Sequence, residues 1–173
     1  MPQTTDLPRW TLVRMTRPGF LIITLVGCML GMATADICGH PPHFWTALAT
    51  VVLAVMSHAA GNVLNDVHDA LSGADAANTS GIFPFTGGTR LIQQGVVTVR
   101  QTRDLARALL LVLVPAGVWL ALQSTAAVLW MGAVGLLLVW AYSAPPLRLM
   151  SRGLGEVAVA AAWSLVGLGA GAV

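Results

Sequence analysis

Fourteen residues, NVLNDVHDALSGAD at positions 62–75, bring two asparagines and three aspartates to the end of an apolar stretch. On a helix, residues three or four apart share a face. This places His58, Asn62, Asp66 and Asp69 on one stripe, with Asn62 and Asn65 also three apart. Asp75 follows beyond Gly73, where the chain can turn back towards that stripe. Two carboxylates one turn apart repel unless a cation lies between them. A set of oxygen donors without cysteine suits a hard cation. Magnesium takes one or two carboxylates and completes its shell with water and phosphate oxygens. Arg90, Arg148 and Arg152 are available to hold a phosphate group. The residues alone therefore point to a Mg²⁺–diphosphate site. The blander reading is a solvated helix end carrying ordinary interfacial charges. His58 reads as a hydrogen-bonded interior histidine, and His68 lies off the stripe. The acidic spacing is not that of an EF-hand, and the closing glutamate is missing.

The elements that must position these residues are membrane helices. Of the 173 residues, 56% are hydrophobic and only 9% are charged. Apolar runs cover 18–35, 44–63, 105–122 and 125–142, and a fifth begins near Gly155 and is still apolar at Val173. Runs of about 17–25 apolar residues are transmembrane candidates. The expected fold is an all-α, polytopic transmembrane helical bundle with about five helices. Because the fifth run ends without a polar cap, a fragment of a longer protein is expected. The N-terminal arginines, apolar run and Ala33-Thr34-Ala35 also resemble a signal peptide, but a retained first span fits better with several further spans behind it.

All nine basic residues are arginines, and there is no lysine. Arg9, Arg14 and Arg17 precede the first run. Arg90, Arg100, Arg103 and Arg107 lie before or at the start of the third, and Arg148 and Arg152 before the fifth. They all fall on one side of the bundle, which the positive-inside rule makes cytoplasmic. The N-terminus and the acidic motif then share that side, and a bacterial cytoplasmic membrane is the expected location. No aromatic-basic patch suggests nucleic acid. Trp10, Trp45, Trp119 and Trp140 lie near span ends, as in an aromatic belt; Trp130 and Trp163 do not. Cys28, inside a span, and Cys38, in a loop, make neither a disulfide framework nor a metal pair.

The segment from Asp66 to Asp104 is long for a connection, and its mixture of polar, glycine and apolar residues argues for folded structure. RLIQQG suggests a short helix ended by Gly95. Thr98 and Gln101 have capping-box spacing. This segment is expected to form a cap over the end of the second span. Paired prolines after Tyr142 stop the fourth span.

The motifs together resemble the UbiA superfamily of intramembrane aromatic prenyltransferases. Residues 62–75 resemble its first aspartate-rich motif, in the form NxxNDxxDxxxGxD. Residues 86–98, TGGTRLIQQGVVT, resemble the loop that follows it, and residues 142–156, YSAPPLRLMSRGLGE, the segment after the fourth helix. Arg17-Pro18 before the first span also fits. The NDxxDxxxGxD spacing and RGLGE look most like the branch that prenylates 1,4-dihydroxy-2-naphthoate in menaquinone biosynthesis.

The resemblance implies the first part of a bundle of about nine helices, with residues 1–173 as the N-terminal part of one domain. It implies that Asp66 and Asp69, with Asn62, hold Mg²⁺ against a prenyl diphosphate, supported by Asn65 and Asp75. Arg90 would bind diphosphate oxygens, and Tyr142, Arg148 and Arg152 would line the rim. The acceptor would be an aromatic of naphthoate or hydroxybenzoate type, and the setting the lipid bilayer. The family's second aspartate-rich motif has no counterpart here: beyond Asp104 the only carboxylate side chain is that of Glu156. The competing functions are a non-catalytic membrane subunit and a small cation- or proton-coupled transporter.

Overall fold

The computed structural model describes residues 7–83 and 88–173. Among them every regular element is helical. Seven α-helices follow in order: α1 (Arg9–Met15), α2 (Pro18–Ile37), α3 (Phe44–Ser72), α4 (Ala74–Ala77), α5 (Val99–Gln123), α6 (Ala126–Ser143) and α7 (Gly155–Gly171). A 3₁₀ turn, Leu149–Arg152, links α6 to α7. Helices α2, α3, α5 and α6 are long and apolar enough to cross a membrane, and α7 is a shorter apolar helix. The polytopic helical bundle expected from composition is what the chain forms.

The helices run past the ends that hydropathy suggested. The second apolar run stops at 63, but α3 continues unbroken to Ser72 and carries the whole Asn/Asp stripe. Polar side chains end a hydropathy window without ending backbone hydrogen bonding. Gly73, left-handed at φ 78°, terminates α3 and turns the chain into α4. RLIQQG does not form the short helix suggested by its sequence. It closes one hydrogen-bonded turn, with Gln94 N–H donating to Arg90 O at 2.9 Å. Val96 N–H then donates to Leu91 O at 2.9 Å and Gly95 N–H to Ile92 O at 3.0 Å. That is a Schellman closure around a left-handed Gly95 (φ 71°).

The capping box is present. Thr98 Oγ1 accepts from Gln101 N–H at 3.2 Å, and Gln101 Oε1 accepts from Thr98 N–H at 2.9 Å. Thr98→Ala is expected to destabilise the chain by about 1 kcal/mol, read as a lower midpoint in detergent unfolding.

Helix α3 packs against α5, α2 and α6, and α7 packs against α2 and α6. The α2–α7 crossing is a contact between backbones. A Cβ on Gly31 would lie 2.0 Å from Gly167 O, and one on Gly171 would lie 3.0 Å from Gly31 O. Glycines four apart on each helix permit this approach, as small residues do between membrane helices. At the polar end a separate apolar cluster of Met15, Val63, Leu91, Val97 and Ala106 is buried. It fastens α1, the 91–97 turn and the start of α5 onto α3. The described residues after α3 thus form a folded cap, as the composition of the segment suggested.

Candidate functional site at the mouth of the bundle

The centre of the site is Asp66, in the last two turns of α3. Its Oδ1 pairs with the Arg17 guanidinium, and its Oδ2 accepts from Thr89 Oγ1 at 2.6 Å. Arg17 Nη2 also donates to Asn65 Oδ1 at 2.9 Å, and Asn65 Nδ2 donates to Asp69 Oδ2 at 2.8 Å. The chain of contacts Thr89–Asp66–Arg17–Asn65–Asp69 joins three separated segments. Asp66, Asp69 and Asp75 are 4%, 8% and 3% exposed, so all three carboxylates are buried.

Local backbone explains how Arg17 reaches Asp66. Arg17 is left-handed (φ 53°, ψ 63°) and breaks the helix between α1 and α2. Asn62 Nδ2 donates to Thr16 O at 2.9 Å and fixes that break against α3. A non-glycine residue in this region is held there by its surroundings, at a cost of about 1–3 kcal/mol. Gly88 covers the ion pair from the other side. It is left-handed (φ 75°), and a Cβ there would lie 2.6 Å from Asp66 Oδ1 and 2.9 Å from Arg17 Nη2. Gly88→Ala is therefore expected to prise the pair apart. We expect a stability loss of about 1–3 kcal/mol, measured by unfolding in mixed detergent micelles.

The other residues proposed from sequence fall into two groups. Asn65, Asp66, Asp69 and Asp75 are brought to one end of the bundle. Gly73 does turn Asp75 back: its Oδ2 accepts from Gln93 Nε2 at 3.1 Å. Burial, with the Asp66 charge behind it, pushes the Asp75 carboxyl above the usual range. Asn62 shares their helix but spends its amide on the α1–α2 break. Arg90, left-handed at φ 61°, gives its guanidinium to Asp75 O and, at 3.3 Å, to Asn78 O. It also stacks 4.8 Å from the Phe83 ring centre. In this state Arg90 organises the loop and pairs with no carboxylate side chain among the described residues. Arg148 is exposed, and so is Arg152, which donates to Pro146 O at 3.0 Å. Tyr142 is half-buried and lines a cleft with Glu156, Gly155 and Met150. Of the loop 86–98, Thr86 and Gly87 lie outside the described residues.

His58 is the interior histidine the sequence suggested. Its Nδ1 lies 2.9 Å from Thr24 Oγ1, and its ring meets Trp163 edge-on at 5.0 Å. That contact gives Trp163 a place inside the bundle. Cys28 is buried, Cys38 is exposed, and both are free.

Sequence reasoning missed the partner of Asp66. In the sequence Arg17 stands out only as one of the topology-marking arginines and as part of an Arg-Pro pair. Its position at the mouth of the first span, on the same side as the acids, was the available signal. Thr89, Gly88 and Gln93 carried no signal beyond lying in the capping loop.

The donor set can be tested against a divalent cation. Asp69 accepts only from a neutral amide among the described residues, and Asp75 likewise only from Gln93. Buried carboxylates without a cationic partner are costly. Among the described residues no three His, Cys, Asp or Glu side chains cluster closely enough to cage an ion. A hard cation here would lean on one or two carboxylates and draw its remaining ligands from water and substrate, which is magnesium's habit. The residues fit that ion.

Below the acids lies an apolar cavity of about 270 Å³ between α3, α5, α6 and α7. Leu53, Leu113, Met131, Leu136 and Leu165 line it. Ser57, also in its wall, is nine residues before Asp66, about 13–14 Å along the helix axis and two and a half turns away.

Four helices of membrane-spanning length with buried acids at one polar end define a polytopic membrane protein with a polar site at the mouth of its bundle. The chain belongs to the UbiA prenyltransferase family, whose profile matches residues 20–173. No curated protein and no solved structure matches it.

Proposed function

We propose that the chain acts as a Mg²⁺-dependent polyprenyltransferase of the kind used in quinone biosynthesis. It would take a prenyl diphosphate and an aromatic acceptor of the naphthoate or hydroxybenzoate type. The observation that carries this reading is the buried cluster Arg17–Asp66–Asn65–Asp69 at the end of α3, in a bundle whose membrane-spanning part also holds an apolar cavity. A diphosphate head suits the first environment and an isoprenoid tail the second. On this reading the polar end faces the cytoplasm of a bacterial cell, because every arginine lies at that end. The 1,4-dihydroxy-2-naphthoate branch remains the preferred acceptor class, on the spacing of residues 62–75 and on Arg152–Glu156.

Asp66 and Asp69, with Asn62 or Asn65 beside them, would hold the magnesium ion. Bound there, Mg²⁺ would neutralise charge growing on the departing diphosphate. Arg17, and Arg90 if its loop contacts open, supply guanidinium donors for diphosphate oxygens. Apolar walls of the bundle would keep water from the allylic carbon while the electron-rich ring carbon attacks it. The ring proton then leaves to solvent or to a nearby carboxylate, and aromaticity returns.

The unbroken α3 supports this reading over a transporter. A transport site of the usual kind lies mid-membrane in an interrupted helix, whereas these acids occupy the final turns of a continuous one. The direct test supplies the purified chain with farnesyl or geranylgeranyl diphosphate, 1,4-dihydroxy-2-naphthoate or 4-hydroxybenzoate, and Mg²⁺. Prenylated arene by mass spectrometry supports the proposal. No product with any pair, from a chain that binds these ligands, favours a non-catalytic subunit.

A further inference from the structure

Both oxygens of Asp66 are already engaged. Arg17 holds Oδ1, and Thr89 donates to Oδ2 at 2.6 Å. Gly88 packs its backbone over the pair, so the contact is sheltered on that side. A metal ion that binds Asp66 through Oδ1 must first take that oxygen from the guanidinium. Two cations compete for one ligand atom. The guanidinium is itself only partly satisfied. Its Nε is buried and has no hydrogen-bond partner among the described residues, which is costly for a buried donor. Its left-handed backbone adds strain that only the surrounding contacts sustain. Arg17 is therefore held by Asp66 and Asn65 through Nη2, while its buried Nε–H lacks an acceptor among the described residues.

We infer that Arg17 and Asp66 form an exchange pair. A metal–diphosphate complex replaces their mutual contact with two new ones, carboxylate to metal and guanidinium to diphosphate oxygen. The inference rests on the site reading above and adds a rule for how the site fills. A cation alone meets a competing guanidinium at Asp66. An anion alone meets a guanidinium occupied by Asp66. The two together satisfy both partners, so the site selects the metal-complexed diphosphate over either ion by itself.

The test uses the full 173-residue chain in nanodiscs, with Mn²⁺ as a spin probe for the magnesium position and inorganic pyrophosphate as the anion. Affinities for Mn²⁺ alone and for Mn²⁺–pyrophosphate are read by electron paramagnetic resonance. In Arg17→Gln, Mn²⁺ alone is expected to bind at least about tenfold more tightly, the low end of couplings between close charge pairs. Mn²⁺–pyrophosphate is expected to bind more weakly by a similar factor. Opposite signs are the signature, because a residue with a purely structural role would weaken both. Arg17→Lys keeps the charge but not the forked donors, and covers the case in which the glutamine variant does not fold. It should move both affinities in the same two directions by smaller factors. If the wild type binds Mn²⁺–pyrophosphate and both variants weaken both ligands, or change neither, the exchange is overturned while the diphosphate site stands. If the wild type binds neither ligand, the site and the exchange are overturned together.

Discussion

Replacing Asp66 by Asn is expected to cut prenyl transfer by about 10²–10³-fold, the loss typical of one preorganised electrostatic contact to a developing charge. The same change is expected to lower folding stability by about 3 kcal/mol, at the lower end for breaking a buried pair by removing one partner. Two features set that scale. The Asp66 and Arg17 side chains are 5% and 13% exposed, so solvent screens the pair little. Asn65 Oδ1 still accepts from Arg17 after the substitution, which limits the cost. Asp104 provides the control. It pairs with Arg100 and Arg107 in the open, at 3.8 and 3.3 Å. Asp104→Asn should change stability by less than about 1 kcal/mol, as exposed pairs do. Turnover and detergent unfolding of the two variants check both expectations.

The second large effect lies far from the acids, at the α2–α7 crossing. A methyl on Gly31 would sit 2.0 Å from Gly167 O, and that oxygen belongs to backbone. The helices must separate, since no side chain can rotate away. Gly31→Ala should cost about 3 kcal/mol, the upper end of overpacking by one methyl. Gly27→Ala is the matched comparison, one turn away on the same helix. Its Cβ would meet Val166 Cγ1 at 3.6 Å, an ordinary contact. It should be neutral within about 0.5 kcal/mol. Unfolding midpoints of the two alanine variants separate a backbone clash from a general intolerance of alanine. Because α7 also packs on α6 and lines the cavity, Gly31→Ala should also disturb the apolar chamber.

These expectations show which parts of the molecule could be read locally. The helical bundle follows from apolar runs of spanning length, and the capping box at Thr98 from a three-residue spacing. The grouping of Asp66 and Asp69 follows from helical periodicity, and the return of Asp75 from a glycine that can adopt positive φ. Each depends on neighbours within about one or two turns. Features that depend on which segment meets which were not legible in that way. Arg17 lies 49 residues from Asp66, and no local pattern says that its guanidinium crosses from the α1–α2 break to α3. Arg90 looked free to bind an anion, but the carbonyls of Asp75 and Asn78 claim it once the loop folds. Asn62 has the helical phase to join the acids, and the sequence did not show that its Nδ2 also fastens Thr16 O while Oδ1 is left to the site. The asparagines and aspartates end the apolar run at 63 but still propagate the helix, as their three- and four-residue spacing indicates. The glycine spacings on α2 and α7 are visible in the sequence, but only their packing shows which backbones they bring together.

The measurement that tests the central claim most directly is binding of a non-hydrolysable prenyl diphosphate analogue to the chain in nanodiscs, with and without Mg²⁺. The account predicts saturable binding that requires Mg²⁺, is competed by pyrophosphate, and is lost in Asp66→Asn and Asp69→Asn while Asp104→Asn retains it. Binding that ignores Mg²⁺ and survives both motif substitutions would contradict it, because the acids at the end of α3 would then have no part in holding the diphosphate.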